Sequence, residues 1–225
     1  IKLTEAMSEI NVKNLIFSSS AVIYGSAKKI PYLEKSDKFP QSPYGFSKLM
    51  CENFFENLCK VDKSWKIMSL RYFNPVGSHK SGLIGDRPKN PDNLMPRLCI
   101  SALNGDDFSI YGNNYNTRDG TAVRDFIHVE DVANAHLNGI LKLKNLKNYS
   151  AFNIGTGRGT TVKEIVNTFQ KVNNVNLSLR NKKKRVGDIP ISYAKCKKAE
   201  EILNWKSSFN IEEMCKSAFM FYKKI

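Results

Sequence analysis

The chain has 225 residues, 41% of them hydrophobic and 25% charged, which is long enough to bury a sizeable core and too apolar for wholesale disorder. Lysine and arginine total 35 against 21 acids, a formal charge of +14, and such a balance favours anionic partners: nucleic acid, anionic membranes or phosphorylated small molecules. No apolar run reaches the roughly eighteen residues of a membrane span, and the start IKLTEAMSEI has neither the basic cap nor the apolar middle of a signal peptide.

In chain order, NVKNLIFSSS reads as a buried strand, with Leu15, Ile16 and Phe17 leading to three serines. A polar loop and then a helix from about Ser42 follow. Ser42 suits the N-cap, Pro43 suits the first helical position, and Leu49, Phe54, Phe55 and Leu58 continue the apolar side. KIMSLRYFNP predicts a strand that Pro75 stops. Residues 74–93, rich in Gly, Asn, Asp and Pro, read as a working loop, because they outrun an ordinary connection. NLMPRLCISALNG predicts a helix closed by Gly105, FSIYG a strand, and VEDVANAHLNGILKL an amphipathic helix with Val132, Ala135, His136, Gly139 and Leu143 along one side. The tail offers strand FNIG, helix TVKEIVNTFQKV, strand VNLSL, and helices that include AEEILNW and IEEMCKSAFMFY. Strands alternating with helices predict an α/β fold with a largely parallel sheet.

Cys51, Cys59, Cys99, Cys196 and Cys215 are scattered and never form a C-x-x-C pair. They read as free thiols in a reducing, cytoplasmic compartment, and no metal site is expected. The dense basic run at 182–185 has no interleaved aromatics for stacking bases. No nucleic-acid or membrane partner is expected.

FNIGTGRGTTVKEIV gives strand, glycine turn and helix, but the spacing of Gly155, Gly157 and Gly159 is not G-x-G-x-x-G, and the following segment is basic. A dinucleotide fingerprint carries an acid about 20 residues on. A tight turn made for packing is the favoured reading; a phosphate cradle is the other.

SPYGFSK is more informative. Tyr44 and Lys48 lie at i and i+4, on one helix face. A lysine cation beside a phenol favours phenolate and draws its pKa toward the working range. Ser18, Ser19 and Ser20 end a predicted strand, where open α/β sheets place their ligands.

SSSAVIYG followed by SPYGFSK resembles the Ser, Tyr, Lys set of the extended short-chain dehydrogenase/reductases. RYFNPVGSH, DNLMPRL, SIYGNNYNTRDGTAVRDFIHVEDVANAH and AFNIGTGRG then follow in the order found in the UDP-glucose 4-epimerases. The resemblance runs from about residue 12 to 205, and NNYNTRDGTAVRDFIHV is its most specific piece. It implies a partial doubly wound, Rossmann-like sheet with a smaller C-terminal α/β substrate-binding domain. Residues 1–74, joined by about 124–150, would belong to the first; 75–123 and 151–225 to the second.

The resemblance also implies a reaction: NAD-dependent interconversion of UDP-glucose and UDP-galactose by oxidation at C4, rotation of the keto sugar and re-reduction. Tyr44 would be base and then acid, Lys48 would assist it and bind the nicotinamide ribose, and Ser20 would hydrogen-bond the reacting oxygen. Ser18 and Phe73 would lie against the cofactor. Asn74, Asn93, Leu94, Arg124 and Arg185 would hold the diphosphate and nucleotide, Ile110 and Tyr111 the uracil, and Asp188 the uridine ribose. Ser192 occupies the position that gates room around the sugar C2 substituent, which extends the expected substrates to UDP-N-acetylglucosamine and its epimer. Two departures stand out: KRVGD puts Val186 where the family has an acid, and Phe46 replaces a polar residue.

The glycine loop and ribose-binding acid for NAD are not found upstream of Tyr44. The sequence therefore reads as the C-terminal two-thirds of an epimerase, a homodimer when complete, and without measurable turnover by itself. Two alternatives stay open: another sugar-nucleotide epimerase or dehydratase, although SSSAVIYG lacks a dehydratase's carboxylate pair, and a non-catalytic binder of UDP-sugars or anions.

Overall fold

The computed structural model describes residues 1–224. Helix α1 (Lys2–Glu9) precedes strand β1 (Asn14–Ser20), a 3-10 turn (Ala21–Tyr24), helix α2 (Pro43–Val61), β2 (Lys66–Tyr72), β3 (Asn74–Val76), α3 (Leu94–Asn104) and β4 (Phe108–Tyr111). Then come β5 (Val123–Arg124), β6 (Phe126–His128), α4 (Val129–Lys142), β7 (Tyr149–Ile154), β8 (Thr160–Thr161) and α5 (Val162–Asn173). The chain closes with β9 (Leu179–Lys182), β10 (Ile191–Ser192), α6 (Lys197–Leu203) and α7 (Ile211–Lys224).

The main sheet is parallel, in the order β1-β2-β7. Its middle strand runs Ile67, Met68, Ser69, Leu70, Arg71, all buried, as expected when both faces of a parallel sheet are covered. On one face, Phe55 and Cys59 of α2 pack with Trp65 and Ile67. On the other, Val132 and Ala135 of α4 meet Met68, Leu70, Phe152 and Leu203. The Val, Leu, Ile, Met and Phe side chains among these each contribute about 1.5–3 kcal/mol by leaving water. A second core gathers α3, α5 and α7 around β4, with Leu98, Phe108, Ile165, Phe169 and Phe219 buried. Among the described residues three small sheets complete the framework: β3 with β6, β4 with β9, and β5 between β10 and β8.

Helix α2 starts as its sequence predicts. Ser42 Oγ accepts from the Gly45 backbone N–H at 3.1 Å, and Pro43 fills the first position, which has no donor to lose. The helix is clamped to the sheet by a buried ion pair. Arg71 of β2 donates through Nε and Nη2 to the two Glu52 oxygens at 2.9 and 2.6 Å, and Ser19 Oγ donates to Glu52 at 2.6 Å. Burial alone would lower the Arg71 pKa, but the Glu52 bonds reverse this and keep it charged. Removing one partner of such a pair costs about 3–5 kcal/mol.

Two expectations need correction. Pro75 does not stop the chain's extended run. After a break at Phe73 it sits inside β3, whose pairing partner is β6, and an edge strand tolerates a missing N–H. The strand expected at VNLSL starts at Leu179 instead, with all four of its residues exposed. β7, which spans residue 150, pairs with β2 in the main sheet. Helix α1 was not anticipated, since it begins without a side-chain cap.

The loop from 77 to 93 is pinned at several points. Glu130 accepts from the Lys80 N–H at 2.8 Å, Tyr222 donates to the Asp86 carbonyl at 2.9 Å, and Lys224 donates to the Ser81 carbonyl at 2.7 Å. Among the described residues no helix is long and apolar enough to cross a membrane.

Candidate active site

The three serines at the end of β1 are used differently. Ser18 Oγ lies 2.9 Å from the Tyr72 hydroxyl, which is also 2.7 Å from His136 Nε2. Burial raises the Tyr72 pKa, so this phenol stays neutral. Ser19 turns to Glu52. Ser20 Oγ accepts from the Val22 N–H at 3.3 Å, capping the 3-10 turn, and its own proton remains available to a ligand.

Lys48, one helical turn beyond Tyr44, donates to the Ser18 carbonyl at 2.9 Å. Its ammonium stands 4.9 Å from the Phe17 ring centroid and 5.6 Å from that of Tyr44. Tyr44 is 55% exposed, and among the described residues its hydroxyl has no hydrogen-bond partner. Ser20 and Tyr44 line one cleft of about 420 Å³ together with Tyr72, Phe73, Asn74, Asn93 and Leu94.

A second hollow, about 190 Å³, is lined by Arg97, Tyr111, Arg124, Arg185 and Asp188. Both hollows share Asn74, Asn93, Leu94 and Phe126, so they adjoin. Arg124 donates to Asp188 and, at 2.8 Å, to the Val123 carbonyl. The Tyr115 hydroxyl donates to the other Asp188 oxygen at 3.0 Å, and burial together with that bond pushes Tyr115 up to about 12. The Arg185 guanidinium lies 4.4 Å from the Tyr111 ring centroid and 3.7 Å from Asp92.

Four of the candidate residues line neither hollow. Ile110 points into the second core at 5% exposure. Ser192 pairs with Arg124 in the β10–β5 ladder. Ser18 and Lys48 are joined to each other by the bond already given. Phe73 lies along its wall at 7% exposure.

The glycine turn is built around a carboxylate. Asp125 is fully buried and accepts from the N–H groups of Thr156 (2.7 Å), Gly157 (3.0 Å) and Ala194 (3.1 Å) and from Thr156 Oγ1 (2.6 Å). A side chain on Gly155 would meet Asp125 Oδ2 at 2.6 Å. This is why that position is glycine.

Sequence reasoning missed Glu52, Tyr72, Arg97, Tyr115 and Asp125. Glu52 carried a usable signal, since it extends the i, i+4 series of Tyr44 and Lys48. The partners of Tyr72, Tyr115 and Asp125 lie far along the chain, and the rings beneath Arg97 belong to the strand that follows its helix. Among the described residues no three potential metal ligands converge.

An α/β fold with a tyrosine, lysine and serine around a cleft at the carboxyl end of a parallel sheet corresponds to the NAD dependent epimerase/dehydratase family, which matches residues 1–155. The chain belongs to that family. Within it, a UDP-glucose 4-epimerase of Cyamopsis tetragonoloba is 42% identical over 220 residues, covering 96% of this chain and 62% of that protein. UDP-glucose 4-epimerase 2 of Arabidopsis thaliana is 43% identical over 219 residues, covering 96% and 63%. The chain thus spans under two thirds of the length of these relatives.

Among solved structures, the UDP-glucose 4-epimerase of Bifidobacterium longum in complex with NAD+ and UDP superposes with a TM-score of 0.94 at 40% identity, covering 99% of this chain and 67% of that one. That of Stenotrophomonas maltophila, with bound NAD and formylated UDP-arabinopyranose, gives 0.96 at 37% identity, covering 99% and 67%.

Proposed function

We propose that this protein interconverts UDP-glucose and UDP-galactose by oxidation and re-reduction at C4, with UDP-N-acetylglucosamine as a further substrate. The observation that carries this reading is the adjoining pair of hollows. One holds a free phenol and a free hydroxyl proton; the other, reached past Asn74 and Asn93, holds arginines. A sugar nucleotide has that same division, neutral at one end and doubly anionic along the diphosphate.

In this reading Tyr44 takes the proton from the C4 hydroxyl and later returns it, and Ser20 donates to the same oxygen. Lys48 spends one of its three donors on Ser18 and directs others to a cofactor ribose. The residues present fit the nicotinamide end of NAD: an unpartnered phenol, a lysine with spare donors and the Phe73 ring beside them. NAD, when bound, supplies the electron acceptor and donor for the two half-reactions. Arg124 and Arg185 clamp the diphosphate in fork geometry, Asp188 takes the uridine ribose, and Ile110 and Tyr111 offer the strand along which uracil lies. Ser192, small and half-buried, leaves room for an N-acetyl group. Residues 1–74 with 124–150 form the cofactor side, and most of the remainder the substrate side. A homodimer, as the family resemblance suggests, and a cytoplasmic location, which the scattered free thiols favour, belong to the same reading.

The test is an assay with NAD and UDP-glucose. Conversion to UDP-galactose is expected when these residues are assayed within a chain of the relatives' full length, with no measurable turnover from the 225 residues by themselves, and Tyr44→Phe in the longer chain should lower kcat at least about a hundredfold while UDP affinity stays within twofold. Full activity in Tyr44→Phe, or a keto-deoxy product in place of the epimer, would overturn the assignment.

A further inference from the structure

Arg97 has no role in the reading above, yet it lies in the same hollow as Arg124 and Arg185. Arg124 is already satisfied by Asp188, and Arg185 stands near Asp92. Among the described residues Arg97 makes no ion pair and no side-chain hydrogen bond. Its guanidinium is held instead by two rings of β4, 5.4 Å from the Phe108 centroid and 5.2 Å from that of Tyr111. It is half-buried.

A partly desolvated cation without a counter-charge is costly, and it is retained where an anion comes to meet it. Stacking against rings fixes the guanidinium plane and leaves its N–H donors at the rim. Arg97 also belongs to the start of α3, where Asn93 makes no side-chain cap bond. The first backbone N–H groups of that helix and the positive end of its dipole therefore face the same region. Asn93 and Leu94 form that helix start and line both hollows.

We infer that Arg97 is a phosphate-binding residue: its ring-held, uncompensated guanidinium receives the diphosphate in the second hollow, beside the Asn93–Leu94 helix start that both hollows share. This rests on the reading of the cleft as a nucleotide-sugar site. Arg124 must leave the Asp188 carboxylate to reach a ligand and Arg185 has the exposed Asp92 3.7 Å away, whereas Arg97 is ready before the ligand arrives. It therefore sets a larger share of diphosphate affinity than either of them.

Calorimetric titration with UDP and with uridine tests this in the wild type, Arg97→Gln and Arg97→Lys, with urea unfolding to show that each variant is folded. Arg97→Gln should weaken UDP at least about tenfold, the worth of one charge-assisted bond, leave uridine within twofold, and flatten the salt dependence of UDP binding. Arg97→Lys should recover part of the loss. Unchanged UDP affinity in Arg97→Gln, or equal losses for UDP and uridine, would overturn the inference while leaving the nucleotide site standing. A wild type that binds neither ligand would overturn the nucleotide site and this inference with it.

Discussion

Two helix approaches carry the signals by which nucleotide sites are usually sought, and they behave in opposite ways. The glycine turn after β7 has the outward form of a phosphate cradle. Its donors are already spent: Thr156 and Gly157 point their N–H groups at Asp125. The helix behind it is closed by a capping box, in which Thr161 Oγ1 accepts from Glu164 N–H at 3.0 Å and Glu164 accepts from Thr161 N–H at 2.8 Å. The start of α3 has no glycine in front of it and no side-chain cap, and it lines both hollows. What separates a binding site from a structural turn here is whether the backbone donors already have an internal acceptor.

The comparison is broken most directly at Asp125. Asp125→Ala strands the buried N–H of Ala194, the partly buried N–H groups of Thr156 and Gly157 and a hydroxyl, and a loss of about 3 kcal/mol is expected in urea unfolding. A loss under about 1 kcal/mol would mean that the turn does not depend on its carboxylate.

A smaller effect is expected at α4, a third start, capped by an imidazole. His128 Nδ1 accepts from Glu130 N–H at 3.1 Å, Nε2 lies 2.9 Å from Ser217 Oγ, and the ring stacks on Phe209 at 3.9 Å. Burial lowers its pKa, against the pull of Glu130, Asp131 and Glu213. Below about pH 6.5 the unfolded chain then binds the extra proton and the folded one does not. Stability should fall as pH drops from there to the depressed folded value, at no more than about 1.4 kcal/mol per pH unit. His128→Asn, which can still cap, should remove that component of the acid slope in denaturation measured from pH 7 to pH 5.

The finest test compares two caps. Thr161→Ala should cost about 1 kcal/mol, and Asn93→Ala should stay within about 0.5 kcal/mol. Equal losses by chemical denaturation would show that Asn93 supports its helix after all.

Much of the framework could be read from local sequence. Ser42, Pro43 and the apolar series behind them specify α2, and Gly105, in the left-handed conformation at φ 74, closes α3. The Tyr44–Lys48 pairing follows from helical spacing alone. What escaped was non-local. Nothing in the sequence beside Asp125 indicates that its partners lie 31 and 69 residues further on. The bond between Tyr115 and Asp188 spans 73 residues. β9 has no buried residue to give it a period, so only its pairing with β4 sets its limits. Arg97 was passed over because an arginine in an amphipathic helix looks like surface until the rings beneath it are seen.

One feature of the ladders bears on how this chain acquires its shape. Of the six paired strand sets among the described residues, five are parallel, and neighbouring parallel strands must be bridged by long crossovers. The acquisition of native pairing is thus governed by closing large loops, which slows it relative to helical proteins of similar size. Ser20, Asn74, Arg124 and Asp188 meet only after those closures. Chains arrested early on that route, even with α2 and α5 already wound, would possess helices but nowhere for a ligand to settle.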